Sequence, residues 1–102
     1  MPGRMNNKVT IITGAGSGIG RACMELFSSE GSTVVGCGRR QDVLEETLHK
    51  VTSNGGEGRV VPADLSVLED AERVISETIE KYGRVDCLVH AASVGWSWSH
   101  TS

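Results

Sequence analysis

The sequence predicts an α/β fold, a doubly wound parallel sheet built in the order βαβαβαβ. Apolar, β-branched runs alternate strictly with segments of helical periodicity, a glycine-rich stretch joins the first strand to the first helix, and neither a repeat nor a low-complexity segment interrupts the pattern. The right-handed crossover rule puts helices on both faces of such a sheet. Strand order 3-2-1-4 is expected, with a ligand at the carboxyl ends of the strands, where the order reverses between strands 1 and 4.

Lys8 to Thr13 (KVTIIT) is apolar or β-branched almost throughout, as a strand buried on both faces requires. Gly14 to Gly20 breaks it. From Ile19 the positions Ala22, Cys23, Leu26 and Phe27 recur at helical spacing, and Gly31 ends that helix. Thr33 to Gly38 is the second strand. Asp42 with Glu45 reads as a capping box opening the next helix, whose inner stripe is Val43, Leu44, Thr47, Leu48 and Val51, closed by Asn54-Gly55-Gly56. Arg59 to Ala63 is the third strand. Ser66 with Glu69 forms a second capping box before Leu68, Ala71, Val74, Ile75, Ile79 and Tyr82, and Gly83 ends that helix. Val85 to Ala92 is the fourth strand. Residues 1–92 are therefore expected to form one domain and 93–102 an irregular tail, in which Trp96 and Trp98 either face a partner or fold over the sheet.

At 102 residues, 38% hydrophobic and 23% charged, the chain is one small globular unit. A net charge of -3 leaves no basic surface for nucleic acid or anionic membrane. No segment reaches the roughly 18 apolar residues that cross a bilayer, and MPGRMNNK lacks a secretory h-region, so a cytoplasmic location is expected. Cys23, Cys37 and Cys87 lie far apart in apolar runs and His49, His90 and His100 do not cluster, so buried reduced thiols are expected and no metal site.

The chemistry is concentrated in Thr13-Gly14-Ala15-Gly16-Ser17-Gly18-Ile19-Gly20, between a strand and an amphipathic helix. Glycines there permit a tight turn and a close approach of backbone to pyrophosphate, whose charge the free N–H groups of Ser17, Gly18 and Ile19 at the helix start would favour. The pattern GxGxxG fails because Ile19 occupies its third glycine position, and no Gly-Lys-Ser/Thr follows to make a Walker A loop. A methyltransferase GxGxG loop fits Gly14, Gly16 and Gly18, but the places of its ribose-gripping acids hold Ile12 and Gly38.

On TGAGSGIG the chain resembles the short-chain dehydrogenase/reductase family, whose glycine motif is Thr-Gly-x-x-x-Gly-Ile-Gly. The resemblance runs from Lys8 to Ala92 and implies a Rossmann-type domain, the cofactor-binding front of a longer oxidoreductase acting on a carbonyl or hydroxyl substrate. It further implies that Asp64 and Leu65, in Ala63-Asp64-Leu65, help hold the adenine ring. It also places Ala91 beside the cofactor, in the stretch His90-Ala91-Ala92-Ser93 that stands where the family carries Asn-Asn-Ala-Gly. Cofactor choice is set at the end of strand 2, where an acid would bind the ribose 2′-hydroxyl of NAD. Gly38 stands there, followed by Arg39 and Arg40, and a guanidinium is a planar fork for a 2′-phosphate; NADP is favoured over NAD.

The family's serine and Tyr-x-x-x-Lys pair lie beyond strand 4. The single tyrosine, Tyr82, is followed four residues later by Asp86, so the chain by itself holds no phenol beside a lysine to move the carbonyl proton. Two readings follow: the cofactor-binding part of an enzyme whose chemistry lies elsewhere, or a non-catalytic nucleotide-binding or interaction module from a truncated or splice form. In either, strand 4 is expected to present an apolar edge open to self-association.

Overall fold

A computed structural model describes residues 7–15, 18–64 and 66–90. The elements are β1 (Val9–Thr13), α1 (Gly18–Ser29), β2 (Thr33–Gly38), α2 (Gln41–Ser53), β3 (Gly58–Pro62), α3 (Leu68–Tyr82) and β4 (Cys87–His90). All strand pairs are parallel and the sheet order is β3-β2-β1-β4, as expected. The expected tail, with Trp96 and Trp98, lies outside the described residues.

β1 is central, and all five of its residues are buried. Alternation along a strand sends Ile11 to one face and Ile12 to the other, and a separate core forms on each. Ile11 packs with Val9, Val35, Cys37, Val61, Ala63 and Val74 of α3. Ile12 packs with Ala15, Val34, and Met24, Leu44 and Val51 of α1 and α2. Arg21 and Glu46, 3.4 Å apart, link those two helices at the surface. Thr10 and Ser32 are buried polar residues that the hydropathy pattern does not flag; their hydroxyls bond each other at 2.8 Å, which removes the cost of burying either alone.

Neither expected capping box forms. α2 is capped by Arg40 in extended conformation with no side-chain bond, so Asp42 falls inside the first turn, where the helix dipole still favours a carboxylate. α3 starts one residue later than a Ser66 cap requires, with Val67 at the cap. The Ser66 backbone N–H and hydroxyl both donate to Asp64 Oδ1, at 3.0 and 2.6 Å, in a local turn that competes with capping. Asp70, in the first turn of α3, accepts the Asp64 N–H at 2.8 Å.

The buried face of α3 also differs from the expected stripe. Val74 and Thr78 are buried, whereas Leu68, Ile75 and Ile79 are 71, 45 and 49% exposed. The two lines are neighbours on the helix, and α3 turns the smaller one to the sheet; Thr78 satisfies its hydroxyl within the helix by donating to the Val74 carbonyl at 2.7 Å.

β4 is the sheet edge among the described residues, and Leu88 is 63% exposed. Asp86 clasps its start to β1: its Oδ2 accepts the Val9 N–H and its own N–H donates to the Val9 carbonyl, both at 2.8 Å, while Arg84 bonds the same carboxylate at 2.7 to 3.1 Å. Hydrogen bonds from Arg84, and then from the Val9 N–H, hold the Asp86 carboxyl below the usual carboxylate range.

The cysteines depart from three buried thiols: Cys37 is buried, Cys23 half-buried and Cys87 exposed on β4. Burial pushes the Cys37 thiol up to about 11 and raises Cys23 in the same direction. Iodoacetamide at pH 7.5 is therefore expected to modify Cys87 first, Cys23 more slowly and Cys37 only as the chain unfolds. Mass spectrometry of timed samples checks the order, and alkylation of Cys37 as fast as Cys87 would contradict it. Among the described residues no group of His, Cys, Asp and Glu could hold a metal ion, and no helix is long and apolar enough to cross a membrane.

Candidate functional site

The carboxyl ends of the four strands collect most of the residues that the sequence singles out. At the centre, β1 ends at Thr13 and the chain turns at Gly14, whose φ of 71° lies in the left-handed region that glycine enters without steric cost. Ala15 is fully buried and its N–H donates to the Cys37 carbonyl at 3.1 Å, tying the loop to β2. Gly16 and Ser17 lie outside the described residues. α1 then starts at Gly18.

Two glycines in the first turn of α1 have opposite surroundings. A Cβ on Gly20 would overlap the Gly14 carbonyl oxygen and come within 2.7 Å of Ala15 Cα, so the helix rests directly on the loop backbone. A Cβ on Gly18 would meet none of the described residues within 4 Å, so among them the space beside the helix start is open. The first turn of α1 carries no acidic residue, which leaves the positive end of the helix uncompensated by a side chain there. A closely seated helix start, open among the described residues and with no acidic residue in its first turn, fits an anionic pyrophosphate.

On the β2 and β3 side, Gly38 ends β2 and accepts the Ala63 N–H at 2.7 Å. Arg39 and Arg40 follow, both exposed, and the Arg40 carbonyl accepts the Leu44 N–H at 3.0 Å. Asp64 stands just beyond the end of β3. The hydrogen bonds from Ser66 lower its carboxyl most, and the charge of Arg39 lowers it further. Asp64 thereby organises the turn toward α3. Leu65 and Ala91 lie outside the described residues.

On the far side, β4 ends at His90, paired in register with Thr13. His90 Nδ1 and Thr13 Oγ1 are 2.9 Å apart. Motif reading marks His90 only as a departure from the family's asparagine and includes Thr13 and Ala15 in the glycine motif without giving either a contact; the partnership of Thr13 with His90 depends on strands that adjoin only after folding. Tyr82 ends α3 and packs half-buried against Val9 and its neighbours, before the start of β4 and so at the opposite pole of the sheet. Burial raises its phenol, Glu57 adds to the rise and Arg59 opposes it.

A four-stranded parallel sheet ordered 3-2-1-4, with a glycine turn and a helix start at its topological switch point, is the Rossmann arrangement. Residues 8–102 match the short chain dehydrogenase family, and the chain belongs to it. Members of that family bind nicotinamide cofactors. Over 84 residues the chain is 38% identical to the A-factor type gamma-butyrolactone 1′-reductase (1S-forming) of Streptomyces virginiae, covering 82% of this chain and 33% of the relative. Over 97 residues it is 37% identical to NADPH-dependent aldehyde reductase 1, chloroplastic, of Arabidopsis thaliana, covering 88% of this chain and 34% of the relative. The apo form of glucose dehydrogenase from Caenorhabditis elegans superposes with a TM-score of 0.80 at 38% identity, over 83% of this chain and 37% of that one. The chain thus spans about a third of the length of the curated relatives it matches.

Proposed function

We propose that this chain is the NADP(H)-binding part of an oxidoreductase that, as a whole protein, acts on a small carbonyl or hydroxyl substrate, and that these 102 residues bind cofactor without turning it over. The observation that carries the reading is the seating of Gly20 on Gly14 beneath an open Gly18, at the carboxyl ends of β1 and β2. Gly14, Gly16 and Gly20 shape the loop, and the backbone N–H groups of Ser17, Gly18 and Ile19 hold the pyrophosphate. Arg39 and Arg40 take the 2′-phosphate, Gly38 removes the carboxylate that would repel it, Asp64 and Leu65 border the adenine, and Ala91 lines the cofactor beside β4. The bound nicotinamide supplies or accepts hydride; the proton must be handled by residues that this chain does not contain, since Tyr82 lies at the other pole of the sheet. Nucleic acid and membrane spans have no part in this reading. It places the chain in a cytoplasmic compartment, with a second copy at the β4 edge as the one macromolecular partner. The exposed Leu68, Ile75 and Ile79 favour a second reading, a non-catalytic interaction module.

Fluorescence titration tests the cofactor reading. NADPH is expected to bind more tightly than NADH by about 1.5 to 3 kcal/mol, the range for hydrogen bonds to charged groups. Gly38→Asp with Arg39→Ala is expected to reverse the order. Equal affinities in the unmodified chain would remove the case for NADP, and steady NADPH oxidation with a ketone, aldehyde or quinone would refute the absence of turnover.

A further inference from the structure

The connection between β3 and α3 carries Asp64, and α3 holds it in place. Asp70, in the first turn of the helix, accepts the Asp64 N–H on its Oδ2 at 2.8 Å. Chemistry fixes the roles, since a main-chain N–H has a proton to give and an ionised carboxylate has lone pairs alone. Arg73, three residues on, donates from Nη2 to the Pro62 carbonyl at 2.9 Å, and the same nitrogen stands 3.8 Å from Asp70 Oδ1. Its Nη1 donates to Glu77 at 3.4 Å, and the other oxygen of Glu77 takes Arg59 of β3 at 3.4 Å. The charges thus run Arg59, Glu77, Arg73, Asp70 and end on the main chain of Asp64.

Partly exposed ion pairs of this kind add little to stability. What they fix is position. Bonds to the Pro62 carbonyl and to the Asp64 N–H hold the chain from the helix side as it leaves β3, and between them the Ala63 N–H is tied to the Gly38 carbonyl of β2 at 2.7 Å. Ser66 then aims the Asp64 carboxyl by giving its N–H and its hydroxyl to Oδ1, while Oδ2 has no hydrogen-bond partner among the described residues. A carboxylate held at its main chain and at one oxygen, with the other oxygen unused, is preorganised toward a ligand at the carboxyl end of the sheet.

We infer that Asp70 and Arg73 are positioning residues of the cofactor site: Asp70 holds Asp64 at the adenine side through its main-chain N–H, and Arg73 holds Asp70 and the end of β3 in the arrangement that allows it. The inference rests on the cofactor reading above. It extends the site into α3, to two side chains that act through Asp64 rather than by touching the ligand.

The test is calorimetric titration of the full 102-residue chain with three probes, NADPH, adenosine 2′,5′-bisphosphate and inorganic pyrophosphate, for the unmodified chain, Asp70→Ala, Asp70→Asn and Arg73→Ala. Asp70→Ala is expected to weaken NADPH and the adenosine bisphosphate alike, about 3- to 10-fold, the worth of one net hydrogen bond, and to leave pyrophosphate unchanged. Asp70→Asn keeps an acceptor oxygen and should recover most of the loss; Arg73→Ala should follow Asp70→Ala in direction with a smaller change. Amide hydrogen exchange of the unmodified chain is the second arm, in which the Asp64 N–H is expected to be protected. An Asp64 N–H that exchanges as fast as a free amide overturns the inference without any variant, so one that fails to fold does not shield it. A folded Asp70→Ala with parental affinity for NADPH, or with equal losses for all three probes, overturns it while the cofactor reading stands. No binding of NADPH by the unmodified chain overturns the cofactor reading and takes this inference with it.

Discussion

Gly20→Ala is expected to lower the stability of the chain by about 3 kcal/mol or more, at the upper end of what overpacking costs. The added methyl would overlap the Gly14 carbonyl oxygen and crowd Gly14 C and Ala15 Cα at 2.7 Å. All three are backbone atoms, so no rotamer change relieves the contact; α1 must lift from the loop. Met24, fully buried one turn further along, would be withdrawn from the core it shares with Ile12, Val34 and Leu44. Against a whole-domain stability of about 5 to 15 kcal/mol, such a loss raises the unfolded fraction by about two orders of magnitude. Gly18→Ala separates folding from binding, because its methyl meets none of the described residues. Its stability should stay within about 0.5 kcal/mol of the parent, as for surface substitutions generally, while NADPH affinity falls because the methyl occupies the space above the helix start. Urea denaturation and NADPH titration of both variants check the pair. A Gly20→Ala chain as stable as its parent would show that the loop yields, and that helix seating is not what holds it.

The second large effect is association. The isolated 102-residue chain is expected to gain mass steeply in sedimentation experiments as its concentration rises, through β4. That strand is the outer one of the described sheet, and Leu88 stands 63% exposed on it. Unpaired N–H and C=O groups beside apolar side chains are a template for another strand. The nearby charge does little to guard it, since Asp86 is committed to Val9 and Arg84 at the start of the strand. Burying one exposed leucine is worth about 1.5 to 3 kcal/mol, and a symmetric pairing buries two. Leu88→Lys should restore a monomer without harming the core, because the side chain is already exposed. Hydrogen exchange over 87–90 gives an independent view. A monomer at every concentration, with slow exchange in β4, would mean that the edge is covered and the account is wrong.

Much of the architecture is written in local sequence. β-branched runs, helical periodicity and glycine punctuation mark seven elements in order, and the handedness of crossovers turns that order into 3-2-1-4. The glycine loop is legible for the same reason: a tight turn and a close backbone approach admit few residue types, so the chemistry appears as composition.

What only the tertiary structure decided is which of several locally acceptable partners each side chain takes. Periodicity marks Leu68, Ile75 and Ile79 as apolar as clearly as Val74, yet α3 buries the line through Val74 and Thr78, because one helix meets the sheet along one line. Ser66 is an equally good cap or turn residue until Asp64 takes its hydroxyl at 2.6 Å. Cys87 sits in an apolar run like Cys37, and only its place on the edge strand exposes it. Thr13 and His90, 77 positions apart, acquire a shared meaning when β4 docks beside β1. Local sequence specifies backbone shape and the sides available for burial; partners far apart in the chain are chosen by the order in which the strands lie.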